Sequence, residues 1–379
     1  MRGRSPRCCR VGVEEDLVSS RLQPWMSSIR ARPLAVVPHE SVSANVDDVT
    51  HFGRRLTAWD AFYEQLTPGA FEGGAHEVWL ADSLEILWET GNRSVWTAGS
   101  NRPGMVSLGI PVAAGGAGVY CGVPLHDGAV SWLPEGSEFE IYCRDRMDIV
   151  SATVSAAALQ AFSAVASPAL DAEVFRRPFI RLQPRQAAIL RRALVEIIGA
   201  VRARPGLLEI AASRTAMCDC VMSSMLDALE PAQPRAASSL RPSVKAWIVR
   251  SARACVLDSP GDPIGVADLC RMLKVSRRSL QYAFEELTGI GAVQFLRNVR
   301  LNAVRRELHH LGRQPQEPIA AVAARWGFWH MPRFAAYYRA LFDELPSETR
   351  ARQGGNPGFD ASRTAPDVAL QRGFLADCG

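Results

Sequence analysis

Leu280 and Phe284 recur 54 residues later as Phe334 and Tyr338, and this spacing constrains the chain more than any other feature. Each pair lies on a helix that follows a shorter apolar helix and a tight turn. The first unit runs from Val266 to Gly289 and the second from Ile319 to Arg339. A helix-turn-helix pattern written twice predicts an all-α domain with a small core under each unit.

In the first unit, Ser276 is placed to cap the second helix by accepting a bond from a free backbone N–H of its first turn. Leu280, Phe284 and Leu287 share the face that packs on the core. Arg278, Gln281, Tyr282 and Glu285 follow an i, i+3, i+4, i+7 pattern on the opposite face. Residues 278 and 280 are two positions apart, about 200° around a helix with ~3.6 residues per turn. Arg forks onto guanine, Gln matches adenine edges, and Tyr reaches a base edge or a phosphate. A solvated helix face accounts for any one of these residues, but not for the capped motif that holds them. Ser276 and Arg277 are placed for the DNA backbone. At the offset of 54, positions 278, 281 and 282 become Pro332, Ala335 and Ala336, whose side chains cannot hydrogen-bond a base edge. Arg333 and Arg339 remain for phosphate contact. The expectation is that the first unit reads bases while the second anchors the backbone and senses shape. Between the units, residues 292–311 predict one long helix. Its core face carries Phe295, Leu296, Val299, Ala303, Val304 and Leu308, interleaved with Arg297, Arg300, Arg305 and Arg306. Such a helix would hold two readers near one turn of B-DNA apart, ~34 Å.

Charge distribution agrees. Residues 241–350 hold 17 Lys and Arg against 10 Asp and Glu, while the rest of the chain is slightly acidic and the whole carries only +4. Positive charge gathers on the motif-bearing segment, as phosphate contact requires.

The same segment resembles the DNA-binding domain of the AraC/XylS family of bacterial transcription regulators over about residues 243–350. The match rests on Leu269, Ser276, Leu280, Phe284, Gly289, Phe295, Leu296, Arg300, Leu301, Ala303, Ile319, Ala323, Gly327, Phe328, Phe334, Tyr338, Arg339, Pro346, Ser347 and Arg350. Members of that family read base edges from the positions of Arg278, Gln281 and Tyr282. The sequence departs from the pattern at Cys270 for Ala, Lys274 for a turn Gly, Asp343 for Gly, and Thr349 for an aromatic.

The N-terminal half reads differently. Eight short runs with strand character begin near Glu77, Leu84, Arg93, Met105, Gly118, Ala129, Glu138 and Met147. Turn clusters such as Gly91-Asn92, Asn101–Gly104 and Gly115-Gly116 separate them. Short strands at even spacing predict an antiparallel sandwich or barrel. After Pro168 the pattern turns helical. Leu190, Leu194, Ile197 and Val201 form one apolar stripe, and a second helix from about Leu208 to Leu229 carries Met217, Val221, Met225 and Ala228. Such a stripe either packs on its own domain or forms a dimerisation seam, and the seam is the role assigned to Leu190, Leu194, Ile197 and Val201.

This half is similar to the cupin-like effector and dimerisation domains of the same family, but lacks paired metal-binding His residues. His76 and His126 stand alone. Trp79, Trp88, Trp96, Tyr120, Trp132 and Phe139 either line a pocket or fill the sheet core, and core is the first expectation. The predicted fold is therefore a β-rich cupin-like barrel or sandwich with appended helices, followed by an all-α double helix-turn-helix domain. Predicted boundaries are 1–40 disordered with Met26 as an alternative start, 41–230 effector domain, 231–242 Pro/Ala/Ser-rich linker, 243–350 DNA-binding domain and 351–379 tail.

Nine cysteines form neither zinc spacing nor a disulfide framework. Cys8-Cys9 and Cys218/Cys220 are the close sets. No apolar run approaches the ~20 residues of a membrane span, and the N-terminus lacks a secretory apolar core, so a cytosolic chain is expected. Expected partners are double-stranded promoter DNA, an unknown small-molecule effector, RNA polymerase if the chain activates, and a second copy of itself. No catalytic, cofactor or metal residue is assigned. The alternatives are a cupin-like metalloenzyme fused to a DNA-binding domain, and a DNA-binding protein that takes no ligand.

Overall fold

The computed structural model describes residues 41–50, 59–112, 118–125, 129–168, 170, 175, 179–181, 184–229, 244–261, 263–311 and 317–352. The expected disordered segment, the Met26 start, the 231–242 linker, His126, the Gly115-Gly116 turn, Cys8-Cys9 and the tail beyond 352 lie outside them.

Twelve strands are described: Ser41–Val46 (β1), Trp59–Gln65 (β2), Gly73–Ala81 (β3), Leu84–Gly91 (β4), Val95–Asn101 (β5), Met105–Pro111 (β6), Gly118–Tyr120 (β7), Val123–Leu125 (β8), Ala129–Leu133 (β9), Glu138–Cys143 (β10), Met147–Ser155 (β11) and Phe179–Arg181 (β12). The eight expected runs are all present, and β1, β2, β8 and β12 are additional. The strands form a seven-stranded sheet, β1-β3-β4-β11-β6-β9-β12, and a five-stranded sheet, β2-β5-β10-β7-β8. Neighbouring strands are antiparallel, so side chains alternate between two faces along each.

The seven-stranded sheet turns Leu84, Ile86, Leu108, Ile110, Val150 and Ala152 outward, where helices cover them. These are Ala156–Ala166 (α1), Pro184–Ala203 (α2) and Ala211–Leu229 (α3), with a 3-10 turn at Pro205–Leu208. Helix thus begins before Pro168, at Ala156, because Ser155 caps α1 by accepting from the Ala158 N–H. A strand, β12, then follows Pro168 before helix resumes.

The stripe on α2 is at most 8% exposed: Leu190 1%, Leu194 0%, Ile197 8% and Val201 0%. It packs on the outer face of this sheet, so these four residues supply no dimerisation surface. Their apolar area is already removed from water within one chain, which corrects the expected seam.

The helical domain comprises Val244–Asp258 (α4), Val266–Leu273 (α5), Arg277–Thr288 (α6), Ala292–Leu311 (α7), Ile319–Arg325 (α8), Met331–Phe342 (α9) and Pro346–Ala351 (α10). The first unit packs Leu269, Leu280, Phe284, Phe295 and Val299 with α4. The second packs Val304, Val322, Phe334 and Tyr338 against the far end of α7. The first of these cores also contains Trp96, Val119 and Tyr142 from the five-stranded sheet and Leu66 just after β2. One face of that sheet is therefore part of the helical domain's core. The resulting layer order is helices, sheet, sheet, helices.

Candidate functional site

The two second helices of the motif, α6 and α9, have the same length and begin 54 residues apart. Ser276 caps α6, its hydroxyl accepting from the Ser279 N–H at 3.0 Å. His330 occupies the equivalent position on α9, where Nδ1 accepts from the Arg333 N–H at 3.2 Å. The repeat offset pointed to His330 directly, since 330 is 276 plus 54, but only Ser276 was singled out from the sequence.

Arg277 and Arg278 are exposed at the start of α6, and Tyr282 one turn on is 57% exposed. The Lys245 ammonium lies 4.5 Å from the Tyr282 ring centroid and is ion-paired with Glu286 at 2.5 Å. Gln281 is placed differently from its neighbours. It is half-buried, its Nε2 donates to Glu285 Oε1 at 2.6 Å, and its Oε1 accepts from the Ala292 N–H at 3.3 Å. Gln281 thus caps α7 instead of pointing its amide freely outward. A Cβ on Gly291 would sit 2.7 Å from that Nε2, so glycine makes room for the amide. A helical wheel of α6 alone cannot show that α7 starts against this side.

On the second unit, Pro332 and Ala336 are exposed and Ala335 is half-buried. Arg333 Nε donates to the Tyr337 hydroxyl at 2.8 Å, and the Arg297 guanidinium lies 4.2 Å from the same ring centroid. Arg339 is exposed. Trp329, in the turn before α9, is 72% exposed and was not singled out from the sequence. Its signal was an aromatic in a turn, where no core residue is needed.

The remaining arginines of α7 face inward. Arg305 pairs with Asp48 at 2.8 Å and Arg306 pairs with Glu64. From α4, Arg253 reaches Glu64 at 2.7 Å and Arg250 reaches Glu140 at 3.0 Å. Asn298 donates to the Leu66 carbonyl, and Asn302 exchanges bonds with the Gln65 backbone. Gln65 also donates to the Leu341 carbonyl at the end of α9. Burial opposes the charge on Asp48, yet Arg305 and His309 hold its carboxyl well below the usual range. Burial likewise opposes Glu64, which Arg253 and Arg306 pull down. These acids cluster on β2 and the segment after β1, and they grip both ends of the helical domain.

The other face of the five-stranded sheet lines a cavity between the sheets, of about 40 Å³. Trp59, Tyr63, Thr97, Tyr120 and Phe139 come from one sheet, and Glu89, Ser107, Ser131 and Ser151 from the other. The Tyr63 hydroxyl donates to Glu89 Oε1 at 2.5 Å. Burial pushes the Glu89 carboxyl up to about 7, against the hydrogen bond from Tyr63. Of the aromatics considered for a pocket, Tyr120 and Phe139 line this cavity. Trp79 bonds Glu77, Trp88 bonds Asp148, Trp96 faces Arg253 and Trp132 fills the outer core. Trp59, Tyr63 and Glu89 were missed. His76 is buried beside Ser43 and Trp88, and burial, with Arg202, pushes it down to about 4. Among the described residues, no three His, Cys, Asp or Glu side chains gather to hold a metal ion. None of the described helices is long and apolar enough to cross a membrane.

A family model described as "Helix-turn-helix domain" matches residues 269–352. The probable thc operon regulatory protein of Rhodococcus erythropolis is 34% identical over 135 residues, covering 35% of this chain and 40% of that relative. The XylDLEGF operon transcriptional activator 2 of Pseudomonas putida is 38% identical over 86 residues, covering 23% of this chain and 54% of that relative. This chain therefore spans about half or less of the length of these relatives. A crystal structure of a transcriptional regulator with an AraC-type DNA-binding domain, from Chromobacterium violaceum, is 27% identical. It covers 29% of this chain and 95% of its own, with a TM-score of 0.27.

Proposed function

The C-terminal domain is of the AraC/XylS helix-turn-helix type, and from that premise we propose that the chain is a sequence-specific DNA-binding transcription regulator answering to a small molecule. The observation that carries this reading is the pair of capped, equal-length helices repeated at 54 residues and joined by α7. At 1.5 Å per residue, a 20-residue helix such as α7 spans about 30 Å, near the ~34 Å of one DNA turn. Two readers held at that separation reach successive major-groove faces.

Base discrimination is assigned to Arg278 and Tyr282, whose side chains are exposed. Gln281 contributes by fixing α6 against α7. Ser276, Arg277, Arg333 and Arg339 are assigned to the phosphate backbone. Activation, with RNA polymerase as partner, is favoured over repression because several relatives are named activators. The effector is assigned to the cavity, because the sheet that lines it also carries the contacts to both helix-turn-helix units. A ligand that binds two arrangements of that sheet with different affinity would shift the helices on its other face.

The test uses full-length protein and operators selected from random DNA. Arg278→Ala should lose roughly 5- to 150-fold on matched operators, the range of one good bidentate base contact, and should lose discrimination with it. Arg333→Ala should weaken all sequences alike. If Arg333→Ala relaxed base preference more than Arg278→Ala, the division of labour would be wrong. If the protein preferred no sequence over competitor DNA, the regulator reading itself would fall.

A further inference from the structure

We propose that the ligand of the cavity between the sheets is a small protonated amine, held by Glu89 within an aromatic wall. The inference rests on reading that cavity as the effector site and adds the chemistry of what enters it.

Three observations converge on a cation. The carboxyl group in the cavity, Glu89, belongs to β4 and points between the sheets toward Tyr63. Around it stand Trp59, Tyr63, Tyr120 and Phe139, with Trp59 and Phe139 edge-to-face at 5.6 Å. Aromatic faces carry the negative part of the ring quadrupole and attract ammonium groups. No Lys, Arg or His is among the described lining residues, so a carboxylate or phosphate would find no counter-charge.

The hydroxyls add to this. Ser131 donates to the Gly109 carbonyl and Ser151 to the Leu87 carbonyl, while Tyr63 donates to Glu89. With those protons engaged, the oxygens offer lone pairs to whatever enters. An ammonium has three donors and no acceptor, which complements such a wall. Among the described residues Trp59 Nε1 is a buried donor without a partner, and an acceptor oxygen elsewhere on the ligand would satisfy it.

Size limits the ligand. A water needs on the order of 10–15 Å³ measured this way, so about 40 Å³ holds roughly three non-hydrogen atoms. Ethylammonium has that size. Its entry would favour the ionised form of Glu89, whose carboxyl sits near 7, and the displaced proton would leave to solvent. The ionisable groups that face or act on Glu89 are Tyr63 on β2, Glu85 on β4, Tyr120 on β7 and Cys143 on β10. Burial and neighbouring groups push all four upward, which takes the two phenols and the thiol further from neutral pH, and Glu85 does not line the cavity, so Glu89 is the carboxyl that meets the ligand.

The experiment is calorimetry and thermal melting of the full-length protein with ethylammonium chloride, ethanol and sodium acetate at matched ionic strength. Ethylammonium should bind saturably with Kd on the order of 1 mM, as the efficiency ceiling for so small a ligand allows. It should release protons at pH 7, and ethanol and acetate should bind at least tenfold more weakly. Glu89→Gln keeps an acceptor for Tyr63 and should bind ethylammonium at least tenfold more weakly. Equal or tighter binding of ethanol or acetate, no saturable ethylammonium binding, or undiminished binding to Glu89→Gln would each overturn the proposal. The wild-type ranking decides even if the variant fails to fold. Arg278-dependent DNA binding, measured without any amine, reports separately on the regulator reading.

Discussion

Lys274 and Asp343 each end a helix in left-handed backbone, at φ 55° and φ 58°. An L side chain costs about 1–2 kcal/mol there, and Asp tolerates the region better than Lys because its short polar side chain bonds locally. Both positions still close their helices, the Lys274 N–H on the Cys270 carbonyl and the Asp343 N–H on Arg339 at 2.8 Å. Lys274→Gly should therefore stabilise the protein, by about 0.5–1 kcal/mol after the added freedom of the unfolded chain is subtracted. A thermal melt should show a rise of a few degrees, with a smaller rise for Asp343→Gly. A fall for Lys274→Gly would mean that the side chain itself holds the turn. Thr349 shows another local solution. It is buried, lies 2.8 Å from the Tyr338 hydroxyl and also bonds Glu344, so a hydroxyl network closes the domain at this point. These positions were visible in the sequence as departures from a pattern, but their backbone angles were not.

Among elements, the repeat was legible because each motif helix has one dry face and local capping. The bounds of α6 and α9 follow from Ser276 and His330 at one end and from Gly289 and Asp343 at the other. Gln281 was the exception, since its bond to the Ala292 N–H depends on where the next helix starts. Gln281→Ala should cost about 1 kcal/mol, the usual worth of a helix cap, and should weaken binding to matched and mismatched DNA equally. Selective loss on matched operators would instead return Gln281 to base reading. Strand β2 was missed for a physical reason. Its residues Trp59, Ala61 and Tyr63 face the sandwich interior while Asp60, Phe62 and Glu64 face the helices, so both faces are partly covered and apolar does not alternate cleanly with polar. Glu64 pairs with Arg253, which lies 189 residues further along, so nothing local in the sequence marks it as a buried acid. The cavity was illegible for the same reason, since Trp59, Tyr63 and Glu89 meet only when two sheets stack.

At the scale of the whole molecule, the five-stranded sheet is shared, with Tyr63, Tyr120 and Phe139 toward the cavity and Glu64, Trp96 and Glu140 toward the helices. The docking of the two halves then depends on buried carboxylates that must stay ionised. Asp48 and Glu64 both titrate lower in the folded protein than their ordinary values of 3.8 and 4.5. A depressed folded pKa contributes stability that is fully present above the unfolded value and is lost as pH falls through the folded one. The two halves should therefore unfold together at neutral pH and separate into two transitions as pH falls below about 4. Glu64→Gln should produce a similar separation at pH 7, because it leaves the buried Arg253 and the half-buried Arg306 beside an uncharged amide. Removing one partner of a buried pair costs about 3–5 kcal/mol. The same variant should flatten the acid dependence, since that carboxyl no longer titrates, and should make DNA affinity insensitive to any cavity ligand. Urea melts followed by tryptophan fluorescence and by far-ultraviolet circular dichroism, across pH 3 to 8, read all but the last effect, and DNA titration with and without ligand reads that one. A Glu64→Gln protein that kept one transition at the wild-type midpoint would show that the clamp does not join the halves. Coupling between cavity and DNA would then have to run through the remaining contacts, the apolar ones of Leu66, Val119 and Tyr142 and the polar ones of Asn298, Asn302, Arg250 and Arg305.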